Sequence, residues 1–404
     1  MARSALQVQS PPMARYAIPI IVIAEFLGTS LWFSANAVAG NLALAWQLSV
    51  SDIGWLTNAV QFGFIAGTLG VAVSGLADRF AASRIFAACA VLGAISNALF
   101  ALAAQGLADG LVYRFITGVA LAGVYPLGMK LVVGWAPQRA GETLAWLVGM
   151  LVLGTALPHA VRGLGAGWPY APVILTSSAL ALVGAAMVQW LGDGPHLKTA
   201  ASAARIRLGH VFIAFREPAF RASALGYFGH MWELYAFWTL VPFIVADVLR
   251  TSATTTSLLA FAIMAVGAIS CVLGGLWSRR VGGARVAAVA LAGSGAMCVL
   301  FPWIAGSREL ALVVLFAWGV FVIADSPQFS ALSARACPPA LLGSALALQN
   351  SIGFFITIVA IAAASALWPH WGVHVAWLLA PGPVLGLMGF APLWRGVARG
   401  GAAS

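Results

Sequence analysis

Gly75-Leu76-Ala77-Asp78-Arg79 stands between two long apolar runs, and Gly275-Leu276-Trp277-Ser278-Arg279 stands between two others at an offset of 200 residues. Outward from these pentapeptides, apolar runs occupy 17–38, 53–76, 83–104, 111–134, 143–163, 170–191, 221–246, 253–277, 284–304, 310–334, 343–366 and 373–394. Each is near the roughly 20 residues that a helix needs to cross about 30 Å of hydrocarbon. A barrel strand would be half as long and strictly alternating, which none of these runs is. The expected fold is an all-α membrane protein of twelve transmembrane helices.

Composition agrees. Hydrophobic residues make up 62% of the 404 and charged residues 8%, against roughly 45–50% and 25% in soluble domains. Twenty-one bases and eleven acids cannot cover a soluble chain of this length. That excludes a soluble enzyme, a disordered chain and a disulfide scaffold. The four cysteines, Cys89, Cys271, Cys298 and Cys337, are widely spaced and form no CxxC or Cys/His cluster. With the polar stretch 1–16 placed inside, sixteen Lys and Arg fall on the cytoplasmic side and only Arg250 and Arg308 outside. Basic loops resist translocation, so the net charge of +10 reports topology and not nucleic-acid binding. Both termini are expected in the cytoplasm, and the membrane is expected to be a bacterial inner membrane.

The chain also repeats itself. Gly118, Pro126 and Pro137 match Gly319, Pro327 and Pro338 at an offset of 201, and Gly28 matches Gly229. Several matches at one offset, flanking equivalent helices, indicate duplication. The polar, basic interruption between them divides the chain into a six-helix bundle over 1–192, a cytoplasmic linker over 193–220 and a second six-helix bundle over 221–404.

Two motifs resemble a known family. Ser74-Gly75-Leu76-Ala77-Asp78-Arg79-Phe80-Ala81-Ala82-Ser83-Arg84 is similar to the cytoplasmic loop signature of the major facilitator superfamily (MFS), with Asp78, Arg79 and Arg84 where that signature expects them. Arg114-Phe115-Ile116-Thr117-Gly118, opening the fourth helix, is similar to the family's second motif. The resemblance covers essentially the whole chain. It implies two pseudo-symmetric bundles around a central cavity, secondary transport, gating through Asp78, Arg79 and Arg84, and a cavity role for Arg114. Departures accompany it: Ser74 and Ala81 replace motif glycines, and Leu157-Pro158 lacks the glycine that precedes this proline in proton-driven exporters.

Ionisable residues at bilayer depth cost about 2.5–3.5 kcal/mol each on insertion scales, so each needs a cavity, a partner or a role. Eight of the eleven acids fall in loops, which leaves Glu25, Glu233 and Asp325 inside helices 1, 7 and 10. Arg114 and Lys130 on helix 4, His159 and Arg162 on helix 5, and His230 one turn from Glu233 join them. Helical spacing places Glu25, Thr29, Trp32 and Asn36 on one face, and Arg114, Gly118, Leu121 and Tyr125 on another. Asn350 with Thr357, and Asn58 with Gln61, make further polar stripes. The expected cavity lining is Arg114, Tyr125, Trp32, Asn36, Thr29, Gln61, Asn350, Gln328 and Trp232. Proton coupling is expected at Glu233, helped by His230 or Asp325, with Glu25 as a further candidate, because burial disfavours their charged forms. Each also has a structural reading: a satisfied bundle contact for Glu233 and His230, a salt bridge for Asp325, and a pairing with Arg114 for Glu25.

The function expected is secondary active transport of a small organic solute by alternating access, coupled to protons, with export slightly favoured. Proton-coupled symport of a small anion is the alternative. A membrane-embedded enzyme would need a catalytic pair clustered at interfacial depth, and the acids are scattered instead. Neither a cofactor nor a metal is expected, His370 and His374 being a weak pair without a third ligand. The expected partners are the solute, protons and the lipid bilayer, and the expected state is a monomer.

Overall fold

The computed structural model describes residues 14–165, 167–197, 212–338 and 341–400. The spanning helices are α1 (Ala14–Thr29), α2 (Val50–Ser74), α3 (Ala82–Leu102), α4 (Leu107–Trp135), α5 (Ala140–Leu164) and α6 (Tyr170–Leu191) in the first half. The second half has α7 (Pro218–Leu249), α8 (Ala253–Val281), α9 (Gly283–Ile304), α10 (Arg308–Ala336), α11 (Leu342–Trp371) and α12 (Pro381–Gly400). Short helices Ser34–Ala37 and Ala39–Trp46 continue α1. Ten described segments are long and apolar enough to cross a membrane. The longest of them turns at Gly372–Val375 into α12, and α1 with its continuation adds the first crossing, so the twelve-helix expectation holds. The twelfth helix starts later than the sequence pattern indicates, because 372–379 forms a 3-10 turn (Gly372–Val375) and a separate short helix (Ala376–Leu379) ahead of it.

Glycines set the closest approaches, and they do so twice. A Cβ on Gly118 of α4 would collide with the Val60 carbonyl of α2, and one on Gly319 of α10 with the Ile263 carbonyl of α8. The two glycines are 201 residues apart, so the duplication seen in sequence is a duplicated backbone contact. Between the halves, α5 lies along α8 and α2 along α11. Asn58 donates to the Ile358 carbonyl at 3.1 Å across the second seam.

The two pentapeptides do not fold alike. Gly75 adopts the left-handed conformation (φ 64°) that ends α2, a position where glycine carries no Cβ penalty. Its counterpart Gly275 lies inside α8, which continues to Val281 and ends at Gly282 instead. Next to the first turn, Lys130 Nζ donates to the Ala77 carbonyl, and both oxygens of Asp193 accept from the N-terminus of α3, from Ala82 N at 3.0 Å and Ser83 N at 2.7 Å. A carboxylate on free helix N–H groups is a favourable cap. Arg79 and Arg84 are exposed, and the side chain of Asp78 lies outside the described residues.

Candidate functional site

Three of the spanning helices are broken or bent where polar residues cluster. α1 stops at Thr29 and passes through the turn Ser30–Phe33 before helical structure resumes at Ser34. α4 is interrupted over 122–124, directly before Tyr125-Pro126, since Pro126 has no N–H to offer the Ala122 carbonyl and its ring crowds that carbonyl. α10 is interrupted at Asp325, ahead of Pro327. Positions 124 and 325 are again 201 apart.

The breaks decide where the charges point. Arg114 is completely buried and reaches the turn in α1: Nη1 donates to the Leu31 carbonyl (3.0 Å), Ser34 Oγ (3.1 Å) and Asn97 Oδ1 (3.1 Å), and Nη2 donates to the Trp32 carbonyl. Those carbonyls lost their helical partners at the turn, and a guanidinium supplies donors in a fixed fork. Arg114 therefore neither lines the cavity nor pairs with Glu25, and both expectations are corrected. Helical spacing put Arg114 and Tyr125 on one face, but the interruption at 122–124 resets that phase.

Glu233 is also buried and also satisfied without a counter-ion. Its Oε1 accepts from Trp318 Nε1 at 2.5 Å and from Cys298 Sγ at 3.2 Å, and its Oε2 accepts from Ser294 Oγ at 2.8 Å. The donors come from α9 and α10, on the side of α7 away from the central cavity. Glu25 lies against Gly128 and Tyr125 of α4, and neither of its carboxyl oxygens has a hydrogen-bond partner among the described residues.

One member of a titratable pair, His230, does reach the cavity. His230 Nδ1 stands 2.8 Å from Asp325 Oδ1, both side chains being fully buried. The separation is that of a close imidazole–carboxylate contact. His230 lines a cavity of about 100 Å³ between the halves, walled by Tyr125, Val148 and Leu151 on one side and by Tyr227, Met231, Tyr235, Asn350 and Phe354 on the other. Three polar atoms of the wall lack partners: His230 Nε2, Trp238 Nε1 and Gln349 Oε1. A mostly apolar pocket with a few convergent polar groups is the usual form of a small-molecule site, although ligand pockets typically hold about 300–1,000 Å³.

Aromatic side chains from both halves roof this cavity. Trp32 packs on Phe64 (5.0 Å between ring centroids), Tyr235 (5.8 Å) and Phe354 (5.8 Å), and Phe33 meets Trp238 edge-on at 6.1 Å. Trp32 thus packs against the aromatic wall and does not line the cavity. Of the other expected lining residues, Tyr125 and Asn350 are in place. Thr29 bonds the Glu25 carbonyl (2.8 Å) and faces α5. Asn36 holds Thr57 of α2 at 2.8 Å. Trp232 donates to the Leu378 carbonyl at 2.8 Å, toward α12. Gln61 is buried outside the cavity wall, and Gln328 lines a separate cleft at the loop 74–84 end. Near the far end, Arg162 donates to the Trp168 carbonyl at 3.0 Å and His159 is buried.

Gln349, Tyr227 and Trp238 were not singled out in sequence. Gln349 adjoins Asn350, and the amide pair was the available signal; the two aromatics are indistinguishable by type from the anchors that populate membrane interfaces.

The Major Facilitator Superfamily profile matches residues 20–361. The niacin transporter NiaP of Acinetobacter baylyi is 34% identical over 125 residues, 28% of this chain and 28% of that protein. The putative uncharacterized transporter YgaY of Escherichia coli K12 is 28% identical over 180 residues, 41% of this chain and 44% of YgaY. The chain thus matches less than half the length of these curated relatives. A solved bacterial homologue of the human lysosomal transporter Spinster, inward-facing and unoccupied, superposes with a TM-score of 0.69 at 15% identity, covering 96% of each chain. The human organic anion transporter MFSD10 does so at 0.67 and 17%, covering 95% of this chain and 99% of that one. With the profile spanning most of its length and the fold shared end to end, this multi-pass integral membrane protein belongs to the major facilitator superfamily.

Proposed function

We propose that the protein is a secondary active transporter that carries a small, aromatic or amphipathic organic solute by alternating access, driven by protons. The observation that carries this reading is the cavity between the halves, with three unpartnered polar atoms on an aromatic wall and one titratable pair at its edge. The solute stacks on Tyr125, Tyr227 and Phe354 and is oriented by Gln349, Asn350 and His230. In this reading the His230–Asp325 pair is the coupling element: a proton taken up there removes the negative charge of Asp325 or gives His230 its positive charge, and so changes what the cavity can hold. Glu233 is structural in the present state, anchored by three donors, while Glu25, buried and without a hydrogen-bond partner among the described residues beside Gly128, is the further proton-site candidate. The loop 74–84 end is assigned to the cytoplasm on the distribution of basic residues.

Export is the favoured direction, on the resemblance of Leu27-Gly28 to a first-helix motif of twelve-helix exporters. Symport of an organic anion is a second reading. It is supported by the partial similarity to a niacin transporter and by the fact that His230 is the one basic side chain on the cavity wall among the described residues.

Reconstituted protein tests the proposal. Thermal-shift screening would select ligands, because binding stabilises the state bound. Counterflow of labelled ligand, nicotinate included, should then proceed without any gradient, and an imposed pH gradient should drive accumulation. Binding without counterflow would contradict a carrier, and counterflow without pH-driven accumulation would contradict proton coupling.

A further inference from the structure

At the loop 74–84 end, a cleft of about 540 Å³ opens between α5, α8 and α10. Its wall holds three arginines, Arg139, Arg279 and Arg335, against one acid, Glu142. Glu142 is bound to Arg139 at 2.7 Å and touches Arg279 at 3.6 Å across the seam between the halves. Arg335 has no ion-pair partner among the described residues. Within the cleft, cationic charge exceeds anionic charge by two.

The cleft does not end in protein. Trp146 and Val272 belong both to it and to a second hollow of about 230 Å³, which runs along the outer side of the α5–α8 seam. That groove is lined only by apolar residues and glycine, among them Met150, Leu153, Ile269 and Leu273. Ile269 and Leu273 are 60% and 58% exposed, so the groove faces the bilayer. Gly149 keeps its floor low, since α5 there approaches the Ala268 carbonyl closely enough that a Cβ would stand 3.2 Å away.

A cationic recess continuous with an apolar channel at one membrane surface has the chemistry of an anionic phospholipid, with phosphate above and an acyl chain below. From this geometry we infer a binding site for an anionic phospholipid at the α5–α8 seam: its phosphate engages Arg279 and Arg335, and an acyl chain fills the groove beside Trp146. Guanidinium is well suited to phosphate, which it can hold through two parallel hydrogen bonds. The occupant has a mechanical consequence. Its phosphate competes with Glu142 for Arg279, and so replaces a direct contact between the halves with a lipid-mediated one. None of these arginines lines the central cavity, so the inference stands independently of the transport proposal.

The test uses the purified full-length protein in neutral detergent, with bound lipid counted by native mass spectrometry and melting temperature read in parallel. Phosphatidylglycerol should remain bound and raise the melting temperature, and phosphatidylcholine of the same chains should do neither. Arg279→Gln with Arg335→Gln should weaken phosphatidylglycerol binding at least tenfold, and Ile269→Trp, which fills the groove, should also weaken it. Glu142→Gln should strengthen it by removing the competing carboxylate, which keeps the test decisive even if the double variant folds poorly. Equal binding of phosphatidylcholine, an undiminished affinity in the arginine variant, or no gain in Glu142→Gln would overturn the inference. So would glycerol 3-phosphate giving the same shift, since that would make the cleft a site for a free phosphate.

Discussion

α1 and α7 occupy equivalent places in the two halves, yet one is broken and the other is not. α1 gives up helical hydrogen bonds at Ser30–Phe33, and the carbonyls of Leu31 and Trp32 go to Arg114 of α4. α7 runs unbroken from Pro218 to Leu249, and the charge it carries, Glu233, is held by donors from α9 and α10. Arg114 in the first half and Glu233 in the second are thus both held by neutral groups, whereas Glu25, equally buried, has no hydrogen-bond partner among the described residues. The lesson concerns cost: a buried charge needs several good hydrogen bonds, and once it has them it need not face water. Depth in the membrane therefore does not by itself place a charge on the cavity wall.

Removing the cation should have the largest effect. Arg114→Met leaves the Trp32 carbonyl without its side-chain donor and the Leu31 carbonyl and Asn97 Oδ1 sharing only the Ser34 hydroxyl, and should destabilise the protein by about 3 kcal/mol, at one to three per unsatisfied buried group less the relieved cost of burying a charge. Thermal unfolding in detergent measures it. Arg114→Lys should recover only part, lacking the fork that reaches several acceptors at once. The duplicated glycines come next. Gly118→Val and Gly319→Val both drive a side chain into a backbone carbonyl and should each cost roughly 1–3 kcal/mol, by nearly equal amounts if the two halves are mechanically equivalent. Unequal losses would show that the broken half is the softer one.

Glu233→Gln should cost less, about 1 kcal/mol, because the amide keeps one acceptor and the Ser294 hydroxyl can turn to accept from its NH2. Equilibrium unfolding would show it, and a loss as large as that of Arg114→Met would break the parallel drawn here. The smallest expected effect is at the surface. Glu142→Gln removes an exposed contact between the halves and should leave the melting temperature of lipid-free protein unchanged, as exposed ion pairs contribute little.

The twelve helices were legible because membrane crossing is a matter of length and apolarity, which composition carries directly. The duplication was legible because Gly118 and Gly319 do the same steric work. The site was legible only in part. The kink at Pro327 has a cause in the sequence, and it places Asp325 beside His230. The turn at Ser30–Phe33 has no proline or glycine within it to announce it, and the polar face read through Glu25, Thr29, Trp32 and Asn36 assumes a helix that does not exist there. Arg114 was misplaced for the same reason, by counting across 122–124. The copy of the Gly75 turn at Gly275 misled in the other direction, since glycine permits a helix end without requiring one.

On the proposed reading, the His230–Asp325 pair does the coupling while Glu233 holds the fold. The most direct measurement is accumulation driven by a pH gradient in proteoliposomes, compared between Asp325→Asn and Glu233→Gln, with counterflow recorded for each. The account predicts that Asp325→Asn loses accumulation and keeps counterflow, while Glu233→Gln keeps both. Accumulation that persists in Asp325→Asn and vanishes in Glu233→Gln would contradict it.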